Sequence, residues 1–338
     1  MKGQSTHEDW GTRKLVVFDD PSFDKHIHES DHPESSERLA VIRSAIAGHP
    51  WKIRPGRWAT LPELERVHTP THIERISSVD GKHAQLCPDT LTCPNSVTAA
   101  FMAAGASVEA AEIASAGGYA FVMCRPPGHH ATGDEAMGFC LFNNAAIAAA
   151  HIAEKGKRVA ILDFDVHHGN GTQDIFYSRS DVLYTSTHQY PFYPDTGGQD
   201  EMGEGPGLGY TLNVPIPSGA DDNWLLPAFE RIIFPAIEHF APDVCIISAG
   251  YDGLADDPLG DLRYTAQALA WMIQQISAGW PTMAVLEGGY NLDTLGPAVC
   301  LSMQALAGAA ISKPIVNATA NWEAKLQAFK HPLITSNL

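Results

Sequence analysis

Five times along this chain a short apolar run stops in a cluster of histidines, carboxylates and glycines. The clearest case is ILDFDVHHGNGTQ, residues 161–173. There Ile161, Leu162, Phe164 and Val166 are threaded with Asp163 and Asp165, and His167, His168, Gly169, Asn170 and Gly171 follow. Such a segment begins as a buried strand and ends in groups that are expensive to desolvate. RPPGHHA (125–131), STHQYPFYP (186–194), SAGYDG (248–253) and LEGGY (286–290) close four other apolar runs in the same way. Open parallel sheets bind ligands outside the carboxyl ends of their strands. Five polar clusters at five strand ends would therefore converge in space, however far apart in sequence.

The spacing between the runs fits that geometry. Strands are predicted at Leu15–Phe18, Ala120–Cys124, Val159–Asp163, Val182–Thr187, Val244–Ser248 and Met283–Leu286, with helices at Asn95–Ala116, Asn143–Glu154 and Thr265–Ser277 between several of them. Alternation of this kind predicts an α/β fold, a mostly parallel sheet covered by helices on both faces. Pro191–Gly219 carries twelve prolines and glycines and reads as one long loop across a rim of the sheet. No linker-like stretch or repeat divides the 338 residues, so a single domain is expected over 1–338, with a motif-bearing core at about 14–312 and a tail at 313–338.

Composition narrows the partners. A net charge of −17 lacks the basic footprint that nucleic-acid phosphates need, so no nucleic-acid partner is expected. The apolar runs around Ala145–Ala150 and Ala305–Ile311 read as too short to cross a bilayer, and the N-terminal residues lack the apolar core of a signal peptide. Six scattered cysteines read as reduced thiols, and the expected location is cytoplasmic. A homo-oligomer stays open.

Residue type then suggests chemistry. Asp165 and His167, two apart in an extended segment, can face the same side. With an oxygen from Asp252 they make a site of one imidazole and two carboxylates, which leaves a coordination position open for water or substrate, the catalytic arrangement for zinc. His129 and His130 follow a tight PPG turn. A histidine beside such a water is the usual general base and needs a partner on its far ring nitrogen, for which Asp163 and Asn170 are available. Tyr290, after two glycines, could donate its phenol hydrogen to a developing oxyanion. HESDH (28–32) also matches the H-E-x-x-H zinc-protease pattern, but Pro33 disfavours helical geometry at His32 and no apolar helical period surrounds it.

RPPGHHA, GFCLFNN, DFDVHHGNGTQ, GYDGLADDPLG and EGGYN together resemble the zinc-dependent histone deacetylase family, including its bacterial amidohydrolase and acetylpolyamine amidohydrolase members; DHPESSERL (31–39) resembles the family's first active-site loop. The resemblance runs in the family's order from about residue 31 to 300. It implies an arginase/deacetylase-like three-layer sandwich around an eight-stranded parallel sheet, and one catalytic zinc held by Asp165, His167 and Asp252. It implies His130 as general base and acid, His129 as an electrostatic helper backed by Asp163, and Tyr290 as the group that polarises the acetyl carbonyl. Gly138 and Phe139, facing Tyr193, resemble the walls of a narrow acyl tunnel. Gly288 falls with the substrate-contacting residues, and Asp89 matches a rim residue that holds the substrate backbone. Structural potassium is implied as well, at Asp163, Asp165, His167, Ser186 and Thr187, and at a second site with Phe176, Arg179 and Tyr210.

Two positions refine the subgroup. Asn170 stands behind the base where class I members carry a second aspartate, as in class II members. Leu259 occupies the position of the gatekeeper glutamate of the family's vertebrate polyamine deacetylase. The expected activity is therefore hydrolysis of acetyl-lysine-type amides, with an acetylpolyamine deacetylase as the alternative. An arginase-like ureohydrolase needs a further bridging carboxylate where this chain reads Asp252-Gly253-Leu254. A non-catalytic acyl-binding protein would be marked by loss of the tyrosine or a histidine, and both are kept.

Overall fold

The computed structural model describes residues 12–27 and 32–334. The HESDH match lies outside these residues, save for His32. Among the described residues ten strands form: β1 (Leu15–Phe18), β2 (Lys52–Arg54), β3 (Ala84–Cys87), β4 (Thr90–Thr92), β5 (Tyr119–Val122), β6 (Val159–Asp163), β7 (Val182–Gln189), β8 (Thr211–Ile216), β9 (Val244–Ala249) and β10 (Thr282–Leu286). Eight of them make one sheet in the order β2-β1-β5-β10-β9-β6-β7-β8, and every neighbouring pair is parallel. The fold is thus the helix-flanked parallel sandwich expected.

Sequence and position explain the strands. β6, β9 and β10 (VAILD, VCIISA and TMAVL) are buried at every residue, because central strands covered on both faces have no solvent side and need no alternation. Helices Ser96–Ser115 and Asn144–Ala153 pack on each other and on the sheet, while Glu37–Ile46, Ala266–Gly279 and Leu292–Leu306 form a second helical layer. Three of these helices are capped by a side chain at the start. Asn143, Thr265 and Asn291 accept backbone N–H groups of the first turns.

Three features depart from the sequence reading. Pro191–Gly219 is not one loop, for it contains β8 (TLNVPI), whose Asn213 and Pro215 hide a strand. β8 is an edge strand, where a residue without an N–H is tolerated. β2, only three residues with two exposed, lies at the opposite edge and carries no hydrophobic signal. Finally, Ser96–Ser115 is long and apolar enough to cross a membrane by length and composition, a run not singled out above. Its buried face spans almost its whole circumference because helix and sheet neighbours enclose it. The expected tail folds back as well: helix Ala320–Ala328 follows Thr319, Trp322 donates to the Trp224 carbonyl at 3.0 Å, and a His331 ring nitrogen lies 2.9 Å from the Thr211 carbonyl. The six cysteines form no disulfide.

Candidate active site

The five strands that end in polar clusters are contiguous in the sheet, as β5-β10-β9-β6-β7. After β8 the chain returns to insert β9 between β6 and β10. Strand order reverses there, and crevices form at such reversals. At the ends of these strands the carboxylates of Asp165 and Asp252 and one nitrogen of His167 lie within 4.8 Å of one another. His167 Nδ1 is 3.1 Å from Asp165 Oδ1 and 3.2 Å from Asp252 Oδ2. Asp165 Oδ2 accepts the Gly288 N–H at 2.8 Å, and Asp252 Oδ1 accepts the Val166 N–H at 2.9 Å. Asp252 Oδ2 is buried and has no hydrogen-bond partner. Gly288 is required by space, since a Cβ there would lie 2.1 Å from Asp252 Oδ2 and 2.6 Å from Asp165 Oδ2.

Burial sets the electrostatics. Desolvation, then the neighbouring Asp165 charge, pushes the Asp252 carboxyl up to about 7. Burial opposes charge on His167, but Asp165 and Asp252 outweigh it and lift the imidazole to about 9. His129 behaves alike. Its Nδ1 lies 3.1 Å from Asp163 Oδ2, and the Asp165 and Asp163 charges overcome desolvation to raise it to about 10. Its neighbour goes the other way. Burial, then the charges of His129 and His167, hold His130 well below the ordinary histidine range. His130 Nδ1 is 2.8 Å from Asn170 Oδ1, an acceptor, so Nδ1 carries the proton and Nε2 keeps a free lone pair. One cationic and one neutral imidazole thus stand side by side, ring centroids 4.1 Å apart.

A cavity of about 280 Å³ leads to this floor and is lined by all six residues assigned to substrate contact: Asp89, Gly138, Phe139, Tyr193, Leu259 and Gly288. Tyr290 and Phe192 complete it. Phe192 stacks on His167 at 5.3 Å and 16°. Gly138 is another position where space decides, because a Cβ would fall 2.2 Å from the His130 ring.

The residues that the resemblance assigns to potassium fall in two places. Asp163, Asp165, His167, Ser186 and Thr187 gather at the ends of β6 and β7, where Thr187 Oγ1 is buried without a partner and Ser186 Oγ meets His188 Nδ1 at 2.8 Å. At the second, the Arg179 N–H is bonded to the Phe176 carbonyl, the Arg179 side chain pairs with Asp181 at 2.8 Å, and the Tyr210 carbonyl accepts the Tyr184 N–H.

Sequence reasoning missed the groups that hold these parts in place. Glu287, fully buried in LEGGY, accepts the Gly128 and His129 N–H groups at 2.7 and 3.1 Å. Asp257 Oδ2 accepts the Tyr290 and Asn291 N–H groups, and its Oδ1 accepts that of Leu259. Arg38, buried and paired with Glu34 at 3.0 Å, bonds the Gly289 carbonyl at 2.7 Å and lies 5.0 Å over the Tyr290 ring. Glu34 also pairs with Arg125 at 2.6 Å. Glu287 stands out in sequence only as a charge inside a glycine-rich motif, whereas Glu34 and Arg38 lie in the charged stretch DHPESSERL and Asp257 beside Asp256, where nothing local sets them apart.

A model of the histone deacetylase domain matches residues 32–306. The chain belongs to the histone deacetylase family. It is 40% identical over 303 residues to a probable deacetylase of Methanothermobacter thermautotrophicus, covering 87% of this chain and 91% of that protein. Histone deacetylase 15 of Arabidopsis thaliana is 39% identical over 292 residues, 82% of this chain but 53% of that longer protein. The crystal structure of the HDA15 HD domain superimposes with a TM-score of 0.87 at 34% identity, over 94% of this chain and 93% of that one. As a histone deacetylase family member, the protein is a hydrolase acting on amides.

Beneath the histidine turn, His68 is buried and neutral. Its Nδ1 donates to the Thr132 carbonyl and its Nε2 accepts the N–H of Asn143, whose amide in turn supports the Ala131 carbonyl. Desolvation, then His72, lowers His68 to about 3. Above the unfolded value of ~6.5 neither state takes a proton there. Below it the unfolded chain binds a proton that the folded chain refuses, so this contribution to stability shrinks by about 1.4 kcal/mol per pH unit as pH falls toward the folded value. The stability advantage of wild type over His68→Gln should therefore narrow by that slope between about pH 6.5 and the acid limit of folding, as read from urea midpoints. A difference independent of pH would show that His68 is not held neutral.

Proposed function

We propose that this deacetylase is a one-zinc amidohydrolase that removes the acetyl group from acetyl-lysine-type side chains. The observation that carries the reading is the clustering of two buried carboxylates and one imidazole nitrogen within 4.8 Å beside an apolar cavity, with Asp252 Oδ2 accepting no hydrogen bond and meeting the His167 imidazole at 3.2 Å. One nitrogen and two carboxylate oxygens with an open approach suit catalytic zinc, and iron or cobalt would fit the same donors. Zinc held there would act as a Lewis acid toward the acetyl carbonyl and lower the pKa of an adjacent water.

The chain's own groups supply the rest. His130 Nε2, kept neutral and unprotonated by burial and by its Asn170 partner, takes the proton of the attacking water and returns it to the departing amine. His129, cationic against Asp163, favours the negative charge that builds beside it. The Tyr290 hydroxyl, kept protonated first by desolvation, donates to the developing oxyanion, while Asp257 and Arg38 fix its backbone and ring. The first structural potassium site, with Asp163, Asp165, His167, Ser186 and Thr187, rests on the family resemblance. The second potassium site, with Phe176, Arg179 and Tyr210, rests on the family resemblance.

Tyr290→Phe should lower kcat by ~10²–10³-fold with KM little changed, as expected for a donor that acts mainly on the developing oxyanion. His130→Ala should be at least as damaging. Retention of more than half the wild-type rate in either variant would assign that residue to packing.

For the substrate, a polyamine would bring a secondary ammonium to the rim, and Leu259 offers it no charge. The Asp257 carboxylate, two residues before Leu259, is engaged by the protein, since both its oxygens accept backbone N–H groups. An acetyl-lysine peptide should thus be cleaved more efficiently than N8-acetylspermidine. A preference for the polyamine of more than tenfold in kcat/KM, about 1.4 kcal/mol of transition-state binding, would reverse the assignment.

A further inference from the structure

Asp89 sits in the two-residue turn between β3 and β4, where Cys87 pairs with Thr90. Its carboxylate spans the mouth of the cavity. Oδ1 accepts from the Gly138 N–H at 3.0 Å, the Thr90 hydroxyl at 2.8 Å and the Cys87 thiol at 2.8 Å. Oδ2 accepts from the Tyr193 hydroxyl, on the opposite wall, at 2.9 Å. Thr90 Oγ1 in turn accepts the Phe139 N–H at 3.1 Å. Gly138 and Phe139 both adopt left-handed backbone, φ 56° and 68°, which is costly for phenylalanine, so the two hydrogen bonds from the hairpin hold a strained wall in place.

Tyr193 has no comparable anchor of its own. It is 38% exposed and stands between Phe192 and Pro194. Its ring meets His130 edge-on at 5.3 Å and His167 edge-on at 6.0 Å, contacts that fix where the ring rests but not how far the wall leans out. The hydroxyl is the group that ties it across the gap. Desolvation raises the Asp89 carboxyl, but these four donors outweigh it and hold Asp89 below the ordinary aspartate range.

We infer that the Asp89–Tyr193 hydrogen bond is a strap that closes the cavity mouth into a ring and restricts substrates to amides carried on a narrow, unbranched methylene chain. This rests on the deacetylase reading of the floor, and it gives Asp89 a task other than holding the substrate backbone. A substrate must thread through the ring end-on. A flat aromatic carrier, wider than a methylene chain, needs Tyr193 to lean outward and break the strap.

The test compares two peptides on the metal-loaded enzyme, one with Nε-acetyl-lysine and one with para-acetamidophenylalanine. The two amides differ in intrinsic reactivity, but that difference cancels when the ratio of kcat/KM values is compared between variants. Tyr193→Phe removes one oxygen and keeps the ring, and should lower the lysine-to-aryl ratio at least tenfold. Asp89→Ala should lower it at least as far. The double variant should resemble Asp89→Ala alone, because groups acting through one contact are not additive. Additive losses in the double variant, or a ratio that moves less than twofold in Tyr193→Phe, would overturn the strap. Cleavage of neither amide by the wild type, with metal bound, would overturn the deacetylase reading and the strap with it; efficient cleavage of the lysine amide with unmoved ratios would overturn the strap alone. Tyr193→Phe is half-exposed and conservative, so the comparison stands even should Asp89→Ala fold poorly.

Discussion

Four carboxylates without solvent exposure, Asp163, Asp165, Asp252 and Glu287, meet at the ends of adjacent parallel strands. Ions placed so deeply cost several kcal/mol each unless paired and hydrogen-bonded. The surrounding structure answers that cost group by group. Asp163 takes His129 and the Tyr184 hydroxyl, Asp165 takes the Gly288 and His167 N–H groups, and Glu287 takes the histidine turn and the Ser248 hydroxyl. Gly288 lacks a side chain because carboxylate oxygens occupy that space. One oxygen, Asp252 Oδ2, accepts no hydrogen bond and has the His167 imidazole at 3.2 Å beside it. The remaining negative charge is what a divalent cation would neutralise.

The same arrangement separates two adjacent histidines into distinct roles. His129 faces Asp163 and is driven toward the cation, whereas His130 faces an amide and is driven toward the neutral base. Had Asn170 been a carboxylate, His130 would have a higher proton affinity and stand closer to its own cation at neutral pH. Beside Leu259, the Asp257 carboxylate turns inward to the backbone N–H groups of Leu259, Tyr290 and Asn291 and offers no free charge to a polycation.

Much of this was legible in the sequence where burial leaves a signature. β6, β9 and β10 read as uninterrupted apolar runs because both faces are covered, and their polar tips stand out against them. The histidines, Asp165, Asp252 and Tyr290 stood out because such clusters recur at five strand ends; any one of them alone reads as a buried pair, a surface dipeptide or packing. Edge strands were not. β2 is short and charged, and β8 carries an asparagine and a proline, since an edge needs neither full burial nor every N–H. Supporting carboxylates were equally silent. Asp257 looks in sequence like the neighbouring exposed Asp256, and only the fold turns it toward the Tyr290 backbone. The strap between Asp89 and Tyr193 joins residues 104 positions apart, and no local pattern encodes such a pair.

Elemental analysis of the protein purified without added metal, alongside Asp252→Asn, tests the centre most directly. A mononuclear site built from Asp165, His167 and Asp252 should hold one zinc per chain, lost together with amide hydrolysis in the variant and regained by neither on adding zinc at stoichiometric concentration. Two tightly bound manganese ions per chain, or full metal content and activity in Asp252→Asn, would contradict it.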